Sequence, residues 1–242
     1  MKKLILLGGF ACTLILSACN KTDTFQQTSI NDYYPLEVGK YIIYNLDSIV
    51  TVNFGQRLDT VNYQVKYLVD GQLTDNLLRP AYRIVRSIRK DSTQGWTIDN
   101  SFMAVNTGNT LEFVDDNNLR FVKLRLPVKY GFSWKGNTFI DTKSATDPNF
   151  QYLDDWDYKY DSINYYIPLG NKIIDSTIKV AQIDETDTSP ILPSRNFSEE
   201  KYAKGIGLIY KNTVHWVYQP PNLSTAGFYS GSGIILTMID HN

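Results

Sequence analysis

From Tyr41 onward the sequence repeats one pattern: apolar and polar residues alternate over short runs that are broken by turn residues. Trp156-Asp157-Tyr158-Lys159-Tyr160-Asp161 alternates strictly, with aromatics on one side and charges on the other. Val61 to Val69 alternates before turning at Asp70-Gly71, Tyr82 to Arg89 is β-branched and basic, and Tyr41-Ile42-Ile43-Tyr44 runs on through Ile49 to Val52. A period of two sends successive side chains to opposite faces, so each run reads as a strand with one buried and one wet face. Turn signals at Gln94-Gly95, Thr107-Gly108-Asn109, Gly136-Asn137 and Asp147-Pro148-Asn149 separate the runs. With no long stretch of helical period, the pattern predicts an all-β fold of antiparallel sheets, either a sandwich or a half-barrel.

One segment departs from the alternation. Asn196 can cap a helix with Glu199 three residues on, and Gly205 lies beyond as a stop. This predicts at most one short helix, near 197–203. Strands are expected again at Ile206 to Tyr210, Val214 to Tyr218 and Ile234 to Ile239, with a long exposed loop from Gln219 to Gly233. Gly39, Gly131 and Gly205 fall where turns need a positive φ.

Two phrases recur. Pro35-Leu36-Glu37-Val38-Gly39 matches Pro127-Val128-Lys129-Tyr130-Gly131, and Asp59-Thr60-Val61-Asn62-Tyr63 matches Asp161-Ser162-Ile163-Asn164-Tyr165. The offsets differ, so the matches fit either a duplication with halves 31–122 and 123–242 or one continuous sheet system that reuses a common turn-strand phrase. In both cases 31–242 reads as a single β domain.

The N-terminus is of another kind. Lys2 and Lys3 precede an apolar run from Leu4 to Leu16. That run is too short for a spanning helix, which takes about 20 residues, and reads as the core of a signal peptide over 1–18. It closes on Leu16-Ser17-Ala18-Cys19, which resembles the lipobox of bacterial lipoproteins. The resemblance implies lipidation at Cys19: its thiol takes a diacylglyceryl thioether, and cleavage before it frees an amine for a further acyl chain such as palmitate. One chain alone binds membranes marginally, and two or more hold firmly. Residues 19–30 then form a polar tether. In enteric lipoproteins an Asp after the lipidated Cys often signals inner-membrane retention, and by that resemblance Asn20 here implies an outer-membrane anchor.

Lys and Arg number 24 against 25 Asp and Glu, a formal net charge of −1. That balance argues against a nucleic-acid protein, which needs a basic stripe to displace counterions from phosphates. Cys12 and Cys19 lie in or at the end of the signal, leaving neither a disulfide framework nor a thiol nucleophile. Only His215 and His241 are present, short of the three or four His and Cys ligands of a zinc site. The acidic runs Asp115-Asp116-Asn117-Asn118, Asp154-Asp155-Trp156-Asp157 and Asp184-Glu185-Thr186-Asp187 lack the spacing of a calcium loop and read as solvated turns. Ser230-Gly231-Ser232-Gly233 is no nucleophile elbow, and Gly205-Ile206-Gly207 opens no helix that could cradle phosphate. No catalytic residue, metal or cofactor is therefore expected. Aromatics are the one chemically suggestive excess, at 13%. Trp156, Tyr158 and Tyr160 share a strand face near Tyr165 and Tyr166, and are the candidate ligand-binding residues: an exposed platform for sugar rings, or else core.

The stretch Tyr33-Tyr34-Pro35-Leu36-Glu37-Val38-Gly39-Lys40-Tyr41-Ile42-Ile43-Tyr44 resembles the domain start of a group of uncharacterised Gram-negative envelope lipoproteins. Asn118 to Leu124, Phe132 to Asn137 and Lys201-Tyr202-Ala203-Lys204-Gly205-Ile206-Gly207-Leu208 to Tyr210 also fit that group. The resemblance implies location and architecture and brings no activity. The expected protein is a monomeric, non-enzymatic binding or assembly accessory, tethered to the outer membrane through its lipid. Its partners would be a glycan or another envelope protein, and not nucleic acid. Alternatives are a carbohydrate-binding lipoprotein using the aromatic face, or a half-barrel carrier of an apolar ligand with a cavity of at least about 300 Å³.

Overall fold

The structure is a computed structural model that describes residues 28–143 and 148–242. The signal segment and Cys19 lie outside the described residues. A single helical turn, α1 (Ile30–Tyr33), precedes β1 (Tyr41–Val52), β2 (Arg57–Thr74), β3 (Pro80–Arg89), β4 (Thr97–Asn106), β5 (Thr110–Val114) and β6 (Arg120–Arg125). A short strand, β7 (Ser133–Lys135), and a 3₁₀ helix (Pro148–Leu153) lead into β8 (Asp157–Leu169) and β9 (Lys172–Asp187). The chain then runs through β10 (Ser194–Ala203), β11 (Gly207–Gln219) and β12 (Phe228–His241). Among the described residues no helix is long and apolar enough to cross a membrane.

All twelve strands belong to one antiparallel sheet in the order β6-β5-β4-β3-β2-β1-β12-β11-β10-β9-β8-β7. Each half of the chain is a meander of hairpins, and the halves join where β1 pairs with β12. The sheet curls until its two edges nearly meet. At that seam the Val122 amide donates to the Gly136 carbonyl (2.7 Å), and Trp134 Nε1–H donates to the Val122 carbonyl (2.7 Å). The Tyr160 hydroxyl donates to the Arg125 carbonyl at 2.9 Å. The architecture is thus a nearly closed barrel and not a sandwich. About eight strands make a barrel whose side chains fill it, so twelve leave room inside.

The segment 197–203 is strand, contrary to the helix its capping pattern predicts. Inside β10, Ser198, Glu200 and Tyr202 are buried while the residues between them are only partly so. The alternation is present, but two of its three inward positions are polar, which hid it from a hydrophobicity pattern. The short helix is α1 instead, where Ser29 accepts from the Asn31 amide and Asp32 accepts from the Ser29 amide. The loop expected from Gln219 to Gly233 is also shorter: β11 ends at Gln219 and β12 begins at Phe228.

Gly39 and Gly131 head equivalent turns. The Gly39 amide donates to the Val69 carbonyl (2.9 Å), and the Lys40 carbonyl accepts from Val69 (2.8 Å). In the other half Gly131 donates to Tyr160 (2.9 Å), and Phe132 accepts from Tyr160 (3.1 Å). Asp59 precedes Val69 in this frame whereas Asp161 follows Tyr160, so the second pair of matching phrases does not superpose with the first. At Gly39, Gly131 and Gly205 φ is +96°, +78° and +76°, and an added Cβ would meet nothing within 4 Å. Alanine at each should therefore cost only the left-handed backbone penalty, about 1–2 kcal/mol. Urea unfolding of the three variants measures this, and unchanged midpoints at all three would contradict the turn geometry.

Candidate functional site

The barrel encloses a cavity of about 400 Å³. Side chains from every strand except β7 line it, together with the 3₁₀ helix and the β5–β6 turn, so the cavity is the lumen itself. Its two sides differ in chemistry.

One side is aromatic. Tyr44, Tyr67, Phe102 and Phe113, from β1, β2, β4 and β5, form a chain of rings with successive centroids 5.3, 5.4 and 5.4 Å apart. These spacings and their tilted or edge-on geometries are those that aromatic pairs favour. The ordinary inward alternation of the first-half strands places them there.

The other side is polar and comes from β9, β10 and β11. The register sets Ser198 opposite Thr213 and Glu200 opposite Lys211. Glu200 is 1% exposed. Its Oε1 accepts from Lys123 Nζ of β6 at 2.8 Å, across the lumen. Its Oε2 accepts from Gln182 Nε2 (2.9 Å) and from the Tyr202 hydroxyl (2.6 Å). Ser198 Oγ donates to Gln182 Oε1 (2.6 Å) and lies 2.8 Å from Thr213 Oγ1. Burial pushes the Glu200 carboxyl up, but the charges of Lys123 and Lys211 and the hydrogen bonds from Lys123 and Tyr202 outweigh it and hold the group ionised, below the usual glutamate range. Burial, with the nearby Lys123 charge, lowers Lys211 to about 8, despite the opposing pull of Glu200, Asp115 and Asp116.

Of the three aromatic residues singled out from sequence, the structure brings Trp156 and Tyr158 to the lumen and leaves Tyr160 away from it. Trp156 sits just before β8, and its Nε1–H is bound by the Tyr152 carbonyl at 2.8 Å. Tyr160 packs at the seam, with its ring centroid 4.8 Å from that of Trp134. All three are buried, so they form no exposed platform. The aromatic face of β8 is its inward face, and the charged partners Asp157 and Lys159 point out. Tyr166 is exposed on its own.

The acidic runs are engaged locally. Asp115 accepts from the Asn117 and Leu119 amides of its own turn, both at 2.9 Å, and burial raises its carboxyl. Lys135 bridges Asp155 (2.9 Å) and Asp157 (3.0 Å), and Arg195 holds Asp184 at 2.6 Å. Among the described residues no three His, Cys, Asp or Glu side chains are grouped as a metal site. His215 lies flat on Tyr152, with ring centroids 3.8 Å apart, and burial lowers its pKa.

Glu200, Lys211, Lys123 and Gln182 escape a reading of the sequence. Glu199-Glu200-Lys201 looks like a solvated charge run, and only the strict alternation of Ser198, Glu200 and Tyr202 carried the signal. No protein-family model matches the chain, and comparison with curated proteins finds no match.

Proposed function

We propose that this chain is a lipid-anchored envelope protein whose barrel carries a small, partly apolar ligand in its lumen. The observation that carries this reading is the lumen of about 400 Å³ with rings along one side and hydrogen-bonding groups along the other. Small-molecule sites have this makeup, mostly apolar walls with a few fixed polar groups, and volumes of roughly 300–1,000 Å³. The buried positions of Trp156, Tyr158 and Tyr160 favour a carrier over a surface sugar platform. Cross-strand ion pairs on the outer wall, Arg83 with Asp70 and Lys179 with Asp161 and Glu199, suit a barrel that stands in water. Leu16-Ser17-Ala18-Cys19 supports attachment to the membrane by lipid rather than by the barrel. The role is binding and transfer, without chemistry on the ligand.

The test is titration of the full chain with the neutral fluorophore N-phenylnaphthylamine. Emission should rise to saturation at one probe per chain. Thr213→Trp, which fills the lumen from its polar side, should weaken binding by about ten-fold or more while melting stays cooperative. Absence of enhancement, or equal binding by the filled variant, would overturn the carrier reading. Palmitate labelling in cells, abolished by Cys19→Ala, reads out the anchor independently.

A further inference from the structure

We infer that the ligand of the lumen is an amphipathic monoanion whose anionic head sits on the Lys211 ammonium while its apolar body lies along the ring side. This rests on the carrier reading above and adds the chemical class of the ligand.

The inference follows from how the polar groups of the lumen are paired. Glu200 is already satisfied without Lys211: Lys123 holds one oxygen at 2.8 Å, and Gln182 and Tyr202 hold the other at 2.9 and 2.6 Å. Lys211 Nζ stands 3.8 Å from Glu200 Oε1, beyond hydrogen-bond length. Among the described residues its ammonium makes no hydrogen bond. Its side chain is 23% accessible, and that surface belongs to the cavity wall.

The other charged groups on the cavity wall have partners. Arg86 is paired with Asp99 at 2.8 Å, Asp115 with two amides of its turn, and Asp116 with Asn100 Nδ2 at 2.5 Å. Lys123 and Lys211 face the same carboxylate, and Lys123 takes the hydrogen bond, so Lys211 is left with unfilled donors in a site of low dielectric, which an arriving anion would fill. A carboxylate seated there would accept from the free donors of Lys211. It would also find the rings of Phe102 and Phe113 in the same cavity for an apolar or aromatic body. A neutral head would give the Lys211 ammonium a hydrogen bond without a charge partner at contact, and an ammonium head would repel it.

The dependence on pH has a definite sign. Burial on the cavity wall, with the Lys123 charge nearby, brings Lys211 down to about 8. Below that pH it is charged and the anion has its partner. Above it the ammonium is lost and affinity for the anion falls with rising pH. The charged groups that bear on Lys211 are Glu200, Lys123, Asp115 and Asp116.

The test uses isothermal titration of the full chain with decanoate, decanol and decylamine, probes that share a tail and differ in head. Decanoate should bind about ten-fold or more tightly than decanol at a pH one to two units below 8, with decylamine weakest. The preference for decanoate over decanol should shrink toward unity two units above 8, and also in Lys211→Met at the lower pH. Should Lys211→Met fail to fold, the pH series on the unaltered chain carries the same decision. Equal binding of decanoate and decanol would overturn the head-group assignment and leave the carrier reading standing. Binding of none of the three would overturn both.

Discussion

Replacing Glu200 with leucine is expected to destabilise the fold by about 3–5 kcal/mol, the range for removing one partner of a buried ion pair. The substitution leaves Lys123 without the carboxylate 2.8 Å away, deprives Lys211 of its nearest counter-charge, and strands the Gln182 amide and the Tyr202 hydroxyl. Adding Lys123→Met should recover part of the loss, because deleting both members of a buried pair is far less costly than deleting one. The measurement is the urea midpoint of the single and double variants. A loss below about 1 kcal/mol for the single variant, or no recovery in the double, would show that the polar cluster does not hold the lumen together. The pH dependence points the same way. The Glu200 carboxyl titrates lower in the folded chain than its usual value near 4.3, so its stabilisation is present at neutral pH and is lost as pH falls through the folded value.

Trp134→Ala should cost a similar amount, about 3–5 kcal/mol, for a different reason. Trp134 is buried among aromatics, with its centroid 4.8 Å from Tyr160 and 5.9 Å from Tyr158. Its indole N–H is also one of the few links between the two edges of the sheet. Loss of the ring should open a void and loosen the seam together. Hydrogen exchange distinguishes this from general destabilisation: the Val122 amide, bound across the seam to Gly136, should lose protection before amides in the β1–β12 ladder. Uniform loss of protection would mean that the seam is not a separate unit.

Most of the strand architecture was legible because its inward residues are ordinary. Val65 on β2, Ile84 on β3 and Tyr158 and Tyr160 on β8 are apolar or aromatic and recur at every second position, so period and burial agree. β10 departs from the apolar alternation because its inward residues line the lumen. Ser198 and Glu200 are polar for the sake of the cavity, and the same residues that make the site interesting removed its strand signal. Tyr158 and Tyr160 share one face of β8, but periodicity cannot tell a platform turned to solvent from a wall turned inward. The closing of a meander into a barrel is also invisible locally. It depends on β1 meeting β12 and on β6 approaching β7, pairings between segments far apart in sequence or joined by irregular chain.

The order of the strands has a consequence for how the chain assembles. Within each half every ladder joins consecutive strands, and apart from the long link between Lys135 and Asp157 the loops between them are short, so such contacts close early. The β1–β12 ladder, Ile42 with His241 through Ile49 with Gly233, is the contact that spans the chain. A polypeptide emerging N-terminus first therefore presents a completed first meander with the free edge of β1 exposed, and must keep it so until the 14 residues of β12 appear. During that interval the edge is a template for pairing with other chains. The last strand made is the one that turns two open sheets into a vessel.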